Sequence, residues 1–116
     1  MTMKLEMVLL AGFFQGPLFY DDPMDGLWTS HTADEAGEDL GLSSALVADL
    51  TAWDDEFQAI YDGNYPPDSH FPSLEAEQAW VERGKELAAR IKQESDLVTS
   101  VDYQADGQIN DGECVI

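Results

Sequence analysis

Two helical patterns flanking a proline-rich connection, between Ser43 and Glu94, constrain the fold of this chain more than any other feature. In the first, Leu46, Leu50, Trp53, Phe57, Ile60 and Tyr61 recur at three- and four-residue steps. At about 100° per residue those positions gather into one apolar stripe that must face a core. Leu42-Ser43-Ser44 offers a hydroxyl N-cap after an apolar residue, and the helix is expected to run from there to about Asp62. Gly63 and Asn64 suit a left-handed C-cap, and Pro66-Pro67 forbid continuation, so Tyr65 to Pro72 is expected to be extended. Ser73 caps the second pattern, in which Trp80, Gly84, Leu87, Ala88 and Ile91 form the inner stripe. Glu75 and Glu77 begin it and Arg90 and Lys92 end it, the signs a helix dipole favours. Gly84 costs about 1 kcal/mol of helix propensity relative to alanine, which a close contact with a neighbouring helix or strand would explain.

The rest of the chain reads as sheet. Lys4 to Leu10 starts with polar alternation and ends apolar, as a strand with one buried face does. Phe13 to Tyr20, punctuated by Gly16-Pro17, predicts a bent strand or two short ones, and Leu27-Trp28-Thr29 a further short strand. Ser30 to Asp39 holds little apolar material and reads as an exposed loop. Leu97 to Tyr103 is β-prone, and Asp106-Gly107 is a hairpin signal after which Cys114-Val115-Ile116 can pair back. The expectation is a single α+β domain over residues 1–116: two antiparallel helices on one face of a mostly antiparallel sheet, closed by a C-terminal β-hairpin.

Charge narrows the function. The formal net charge is −19, from 24 acidic and 5 basic residues. Four of the five basic residues lie between Arg83 and Lys92, so residues 1–82 carry only Lys4 against seventeen acids. Such a surface repels nucleic acid and anionic membrane and accelerates encounter with a cationic partner. The expected partner-binding residues are Asp21, Asp22 and Asp25 in one turn, Asp34, Glu35, Glu38 and Asp39 in the acidic loop, and Asp54, Asp55, Glu56 and Asp62 on the first helix. Singly, each is an ordinary solvated acid; together they read as a docking surface for a basic protein. Phe13, Phe14, Phe19 and Tyr20 read first as core, and an exposed subset would form the apolar centre of an interface ringed by Asp21, Asp22 and Asp25.

Catalytic and metal signatures are weak. His31 and His70 have only Ser30 and Ser69 beside them in sequence, which makes no nucleophile, base and orienting acid. One cysteine, Cys114, allows no internal disulfide, and two distant histidines offer no ligand spacing, so no cofactor or structural metal is expected. One segment fits a twelve-residue calcium loop: Asp102, Gln104, Asp106, Gln108 and Glu113 fall at ligand positions, with Gly107 at the sharp turn and Ile109 after it. The β-branched run before it and the three residues after Glu113 lack the flanking helices, so a plain hairpin is the leading reading there. Without a cationic leader, a cleavage site or about 20 consecutive apolar residues, the chain reads as cytosolic.

The run F-P-S-L-E-A-E-Q-A-W-V-E-R-G-K-E-L-A-A-R-I-K-Q-E, the strand ending in Val101-Asp102-Tyr103 and the motif L-V-A-D-L-T-A-W resemble a group of small bacterial proteins. With its size and acidity, the chain resembles immunity proteins of polymorphic-toxin and contact-dependent inhibition systems. That resemblance implies a small cytosolic protein that binds a cognate toxin domain and blocks its active site; it assigns no binding residue here. On charge, the toxin expected is of the nuclease type, whose phosphate-holding Lys and Arg would meet carboxylates. Two other readings use the same acids: a nucleic-acid mimic that inhibits a DNA-binding protein, and adaptation to high salt, since Asp outnumbers Glu and lysine is scarce.

Overall fold

The structure is a computed structural model that describes residues 5–22, 26–61, 63–64 and 69–116. Strands β1 (Leu5–Leu10), β2 (Leu18–Asp21) and β3 (Trp28–His31) come first. Helices α1 (Ala33–Leu40), α2 (Ser44–Gln58) and α3 (Leu74–Glu94) follow, and β4 (Val98–Ala105) comes last. The sheet order is β3-β2-β1-β4. β1 pairs antiparallel with β2 through Val8↔Phe19 and Leu9↔Leu18, and β2 antiparallel with β3 from Leu18↔His31 to Asp21↔Trp28. β1 and β4 are parallel, with Met7 opposite Val101 and Leu9 opposite Tyr103. The sheet is therefore mixed: two of its three pairings are antiparallel, in line with the mostly antiparallel sheet expected, and the β1–β4 pairing is parallel. The helical layer separates β1 from β4 in sequence and brings the chain back to enter β4 in the same direction as β1, a crossover connection.

All three helices lie on one face, over Met7, Leu9, Leu18, Tyr20, Val101 and Tyr103, which are buried in one core with Leu46, Leu50, Trp53, Trp80, Leu87 and Ile91. α2 and α3 run antiparallel: Asp49 pairs with Arg90 at 2.6 Å, Glu56 pairs with Arg83, and Glu94 Oε1 accepts the Ser43 backbone N–H at 2.7 Å. The Trp53 and Trp80 rings stack at 4.4 Å and 2°, and each indole N–H donates to the other residue's carbonyl, at 3.0 and 2.8 Å. Gly84 accounts for the close approach. A Cβ there would lie 2.3 Å from the Tyr103 hydroxyl and 2.7 Å from the Trp53 ring. Tyr103 donates that hydroxyl to the Val81 carbonyl at 2.6 Å, fixing α3 to β4.

Three expectations need correction. Residues 33–40 of the acidic segment are helix α1, and the expected pair of helices becomes three among the described residues. A capping box starts it, with Thr32 Oγ1 accepting from the Glu35 N–H and the Glu35 carboxylate accepting from the Thr32 N–H. Ala33, Ala36 and Leu40 form its buried stripe, and Gly41, at φ 73°, ends it. α2 stops at Gln58, before the expected Asp62, through tighter bonds from Ile60 N–H to Phe57 and from Tyr61 N–H to Gln58. The C-terminal segment returns antiparallel to β4 as expected, with Val101 and Ile116 exchanging backbone bonds at 3.0 and 2.9 Å. It makes a single bridge, Asp102↔Val115, reached through residues 106–113 and not through a two-residue turn at Asp106-Gly107.

Candidate partner-binding surface

The strands alternate, so the residues opposite the core face outward together. Val8 and Leu10 of β1, Phe19 of β2 and Trp28 of β3 line the sheet face away from the helices, and Trp28 is 54% exposed. Acids border this surface: Glu6 on β1, Asp21 at the end of β2, Asp102 on β4 and Asp111 in the loop after it. Two shallow depressions of about 340 and 400 Å³ flank Trp28 and Val8, and Val115, 56% exposed, lines the first of them. An exposed indole sharing a depression with aliphatic side chains and bordered by carboxylates has the composition of a protein-binding patch.

Asp102 and Asp111 lie side by side on the rim. Asp102 Oδ2 accepts from Gln104 Nε2 at 3.1 Å and from the Gly112 N–H at 3.0 Å, while its buried Oδ1 has no hydrogen-bond partner among the described residues. Hydrogen bonding to Asp102, and its negative charge, raise the Asp111 carboxyl above the usual carboxylate range.

Among the described residues, the acids expected from the sequence are divided between different parts of the surface. Asp21 is on the sheet rim, and Asp22 lies beside His31, its Oδ2 3.3 Å from Nε2. Asp25 and Asp62 lie outside the described residues. Asp34, Glu38 and Asp55 converge around a groove of about 830 Å³ between α1 and α2, which Leu42, Val47 and Ala48 also line. Glu35 is held in the capping box, and Asp39 Oδ2 accepts the Tyr20 hydroxyl at 2.7 Å. Glu56 is neutralised by Arg83. Asp54 is half-buried and accepts from Gln58 Nε2 at 3.2 Å; burial raises its carboxyl above the ordinary range against the lowering effect of that bond.

The aromatics divide similarly. Tyr20 is core, Phe13 stacks on Phe57 at 4.5 Å, Phe19 joins the open sheet face, and Phe14 is 81% exposed with its N–H donated to Gln58 Oε1 at 3.1 Å. The side chains of the calcium-like spacing bond to one another: Gln104 donates to Asp102 and Asp111, Gln108 to Asp106, and Asn110 to Glu113. Among the described residues, the acidic and histidine ligand atoms that do converge are those of Asp22, His31 and Asp39, from β2–β3 and α1. Sequence spacing missed that cluster because three separate segments supply it. Trp28 was visible only as a strand residue, since the face a strand buries depends on its pairing.

A small α+β domain with a one-sided helical layer and an acid-rimmed, aromatic-centred open sheet is a scaffold suited to holding a partner. Residues 15–106 match the family model described as Serratia CdiI immunity protein-like, and the chain belongs to that family. The matched span includes β2, β3, all three helices and β4. No curated protein matches the chain. Membership implies a cognate toxin as partner and a toxin-neutralising role. No helix among the described residues is long and apolar enough to cross a membrane.

Proposed function

We propose that this chain is a non-enzymatic immunity protein that neutralises a basic toxin domain by seating it on the open face of the sheet, with Trp28 as the central anchor. The observation that carries the reading is the exposure of Trp28 beside Phe19, Val8 and Leu10 within a ring of carboxylates. Burying an indole in a partner's pocket supplies the kind of contact that dominates interface energetics. Glu6, Asp21, Asp102 and Asp111 would meet Lys and Arg around that pocket, and in a nuclease-type toxin those are the groups that hold phosphate. Asp34, Glu38 and Asp55, on the helical side, add to the long-range field that steers encounter. Such a protein would act in the cytoplasm, where a nuclease finds its substrate.

The test is binding to the cognate toxin domain, once a neighbouring reading frame or a capture experiment has supplied it. Trp28→Ala is expected to weaken affinity by about 30-fold or more, the size of an interface hot spot, while leaving the melting temperature near that of the parent. A triple variant, Asp34→Asn with Glu38→Gln and Asp55→Asn, is expected to slow association with little change in dissociation. Unchanged affinity in Trp28→Ala, with binding lost in the triple variant, would move the site to the α1–α2 groove and overturn the assignment.

A further inference from the structure

On the helix side of the sheet, away from the surface just described, we propose that Asp22, His31 and Asp39 form a binding site for a divalent transition-metal cation of the zinc class. One nitrogen and two carboxylate oxygens lie within 4.8 Å of one another, brought together from the end of β2, the end of β3 and the last turn of α1. His31 is 97% buried, and its Nδ1 lies 3.3 Å from the Leu18 carbonyl. A carbonyl only accepts, so a neutral His31 bonded to it carries its proton on Nδ1 and turns the Nε2 lone pair toward the carboxylates, an arrangement a cation between them would hold in place of the Nε2 proton. Nε2 lies 3.3 Å from Asp22 Oδ2. That separation is the edge of a tetrahedron with metal–ligand bonds of about 2.0–2.1 Å, the zinc distance for nitrogen and oxygen donors.

The surrounding groups fit the same purpose. Tyr20 stacks on the His31 ring at 3.8 Å and 8°, and donates its hydroxyl to Asp39 Oδ2 at 2.7 Å. A carboxylate only accepts, so the Tyr20 hydroxyl is the donor in that bond and fixes the Asp39 carboxylate in place. Both a backbone carbonyl on the histidine and a hydroxyl on the carboxylate are outer contacts that orient metal ligands. α1 has no basic residue in its last turn, where the helix dipole presents negative charge, and Asp39 adds to it. A cation there would meet both. Three protein donors leave a fourth position for water or for a group from a partner, and one nitrogen with two oxygens suits zinc, cobalt or manganese better than calcium, which takes six or more oxygens.

The experiment uses the full chain freed of metal by chelation. Zinc chloride titrated calorimetrically is expected to bind at one equivalent and to raise the melting temperature; cobalt(II) is expected to give the visible absorption of a four- or five-coordinate site. Asp22→Asn and His31→Gln should abolish uptake, and Tyr20→Phe should weaken it by about 10–100-fold, as loss of an outer-shell contact does. Cys114→Ser and His70→Gln should leave it unchanged. Calcium at the same concentration should give no heat. The proposal is overturned by absence of saturable zinc or cobalt binding, or by binding that survives in a folded Asp22→Asn variant and disappears in Cys114→Ser or His70→Gln. Should His31→Gln fail to fold, Asp22→Asn carries the decision, since its side chain is at the solvent edge of the cluster.

Discussion

At the scale of single residues, Gly84 is where helix propensity and packing oppose each other most directly. Alanine would recover about 1 kcal/mol of propensity. Its methyl group would sit against the Tyr103 hydroxyl and the Trp53 ring, both held by hydrogen bonds and neither free to withdraw. Overpacking of this kind costs about 1–3 kcal/mol, so Gly84→Ala is expected to lower the melting temperature by several degrees despite its better propensity. A calorimetric melting point at or above that of the parent would show that the Trp53–Gly84–Tyr103 contact is not tight. The glycine was conspicuous in the sequence because it interrupts an apolar stripe. Its reason lies on two other elements, α2 and β4, which no local pattern connects to it.

At the scale of elements, two carboxylates report on how α2 is held, with opposite signs. Glu94, at the end of α3, accepts the Ser43 backbone N–H, and that bond, followed by the Ser43 side chain, lowers its pKa from the ordinary 4.5. A lowered folded value stabilises the fold above the unfolded pKa, and the contribution disappears as pH falls through the folded value. Burial raises Asp54 on α2 from its ordinary 3.8, so its ionised form opposes folding at neutral pH and the opposition fades as pH falls through the raised value. Melting temperatures measured from pH 7 to pH 3 should therefore place Glu94→Gln below the parent at pH 7 and Asp54→Asn above it, with both differences closing toward acid. A Glu94→Gln deficit that stayed constant across that range would remove the α3–α2 carboxylate from the account. The ion pairs Glu56–Arg83 and Asp49–Arg90 are exposed, and pairs of that kind contribute about 0–1 kcal/mol each. Their larger effect is to neutralise the two arginines of α3, leaving the remaining acids as the dominant field.

At the scale of the whole molecule, a net charge of −19 on 116 residues makes the folded state repel itself. Raising ionic strength from about 0.01 M to about 1 M shortens the Debye length from about 30 Å to about 3 Å, and the melting temperature should rise by several degrees over that range. The association rate with the toxin should fall over the same range as steering is screened. A chain that keeps its fold at the low-salt end behaves as an interaction module; complete unfolding there would identify the acidity as adaptation to a saline interior. Helices α2 and α3, their serine caps and the four strands were legible because each rests on local chemistry: stripes at helical spacing, a hydroxyl before a helix, alternation along a strand. α1 carried its own signal in Thr32-x-x-Glu35 and Gly41, but its three-residue stripe of Ala33, Ala36 and Leu40 is too small to stand out among so many acids. The sequence by itself determined an α+β chain with a segregated negative charge, because periodicity and charge are properties of residue order. Only tertiary structure decided that β4 joins β1 in parallel, that Trp28 faces away from the helices, and that Asp22, His31 and Asp39 meet. Each depends on strand register or on contacts between distant segments, and the energies that select those arise only once the core has closed.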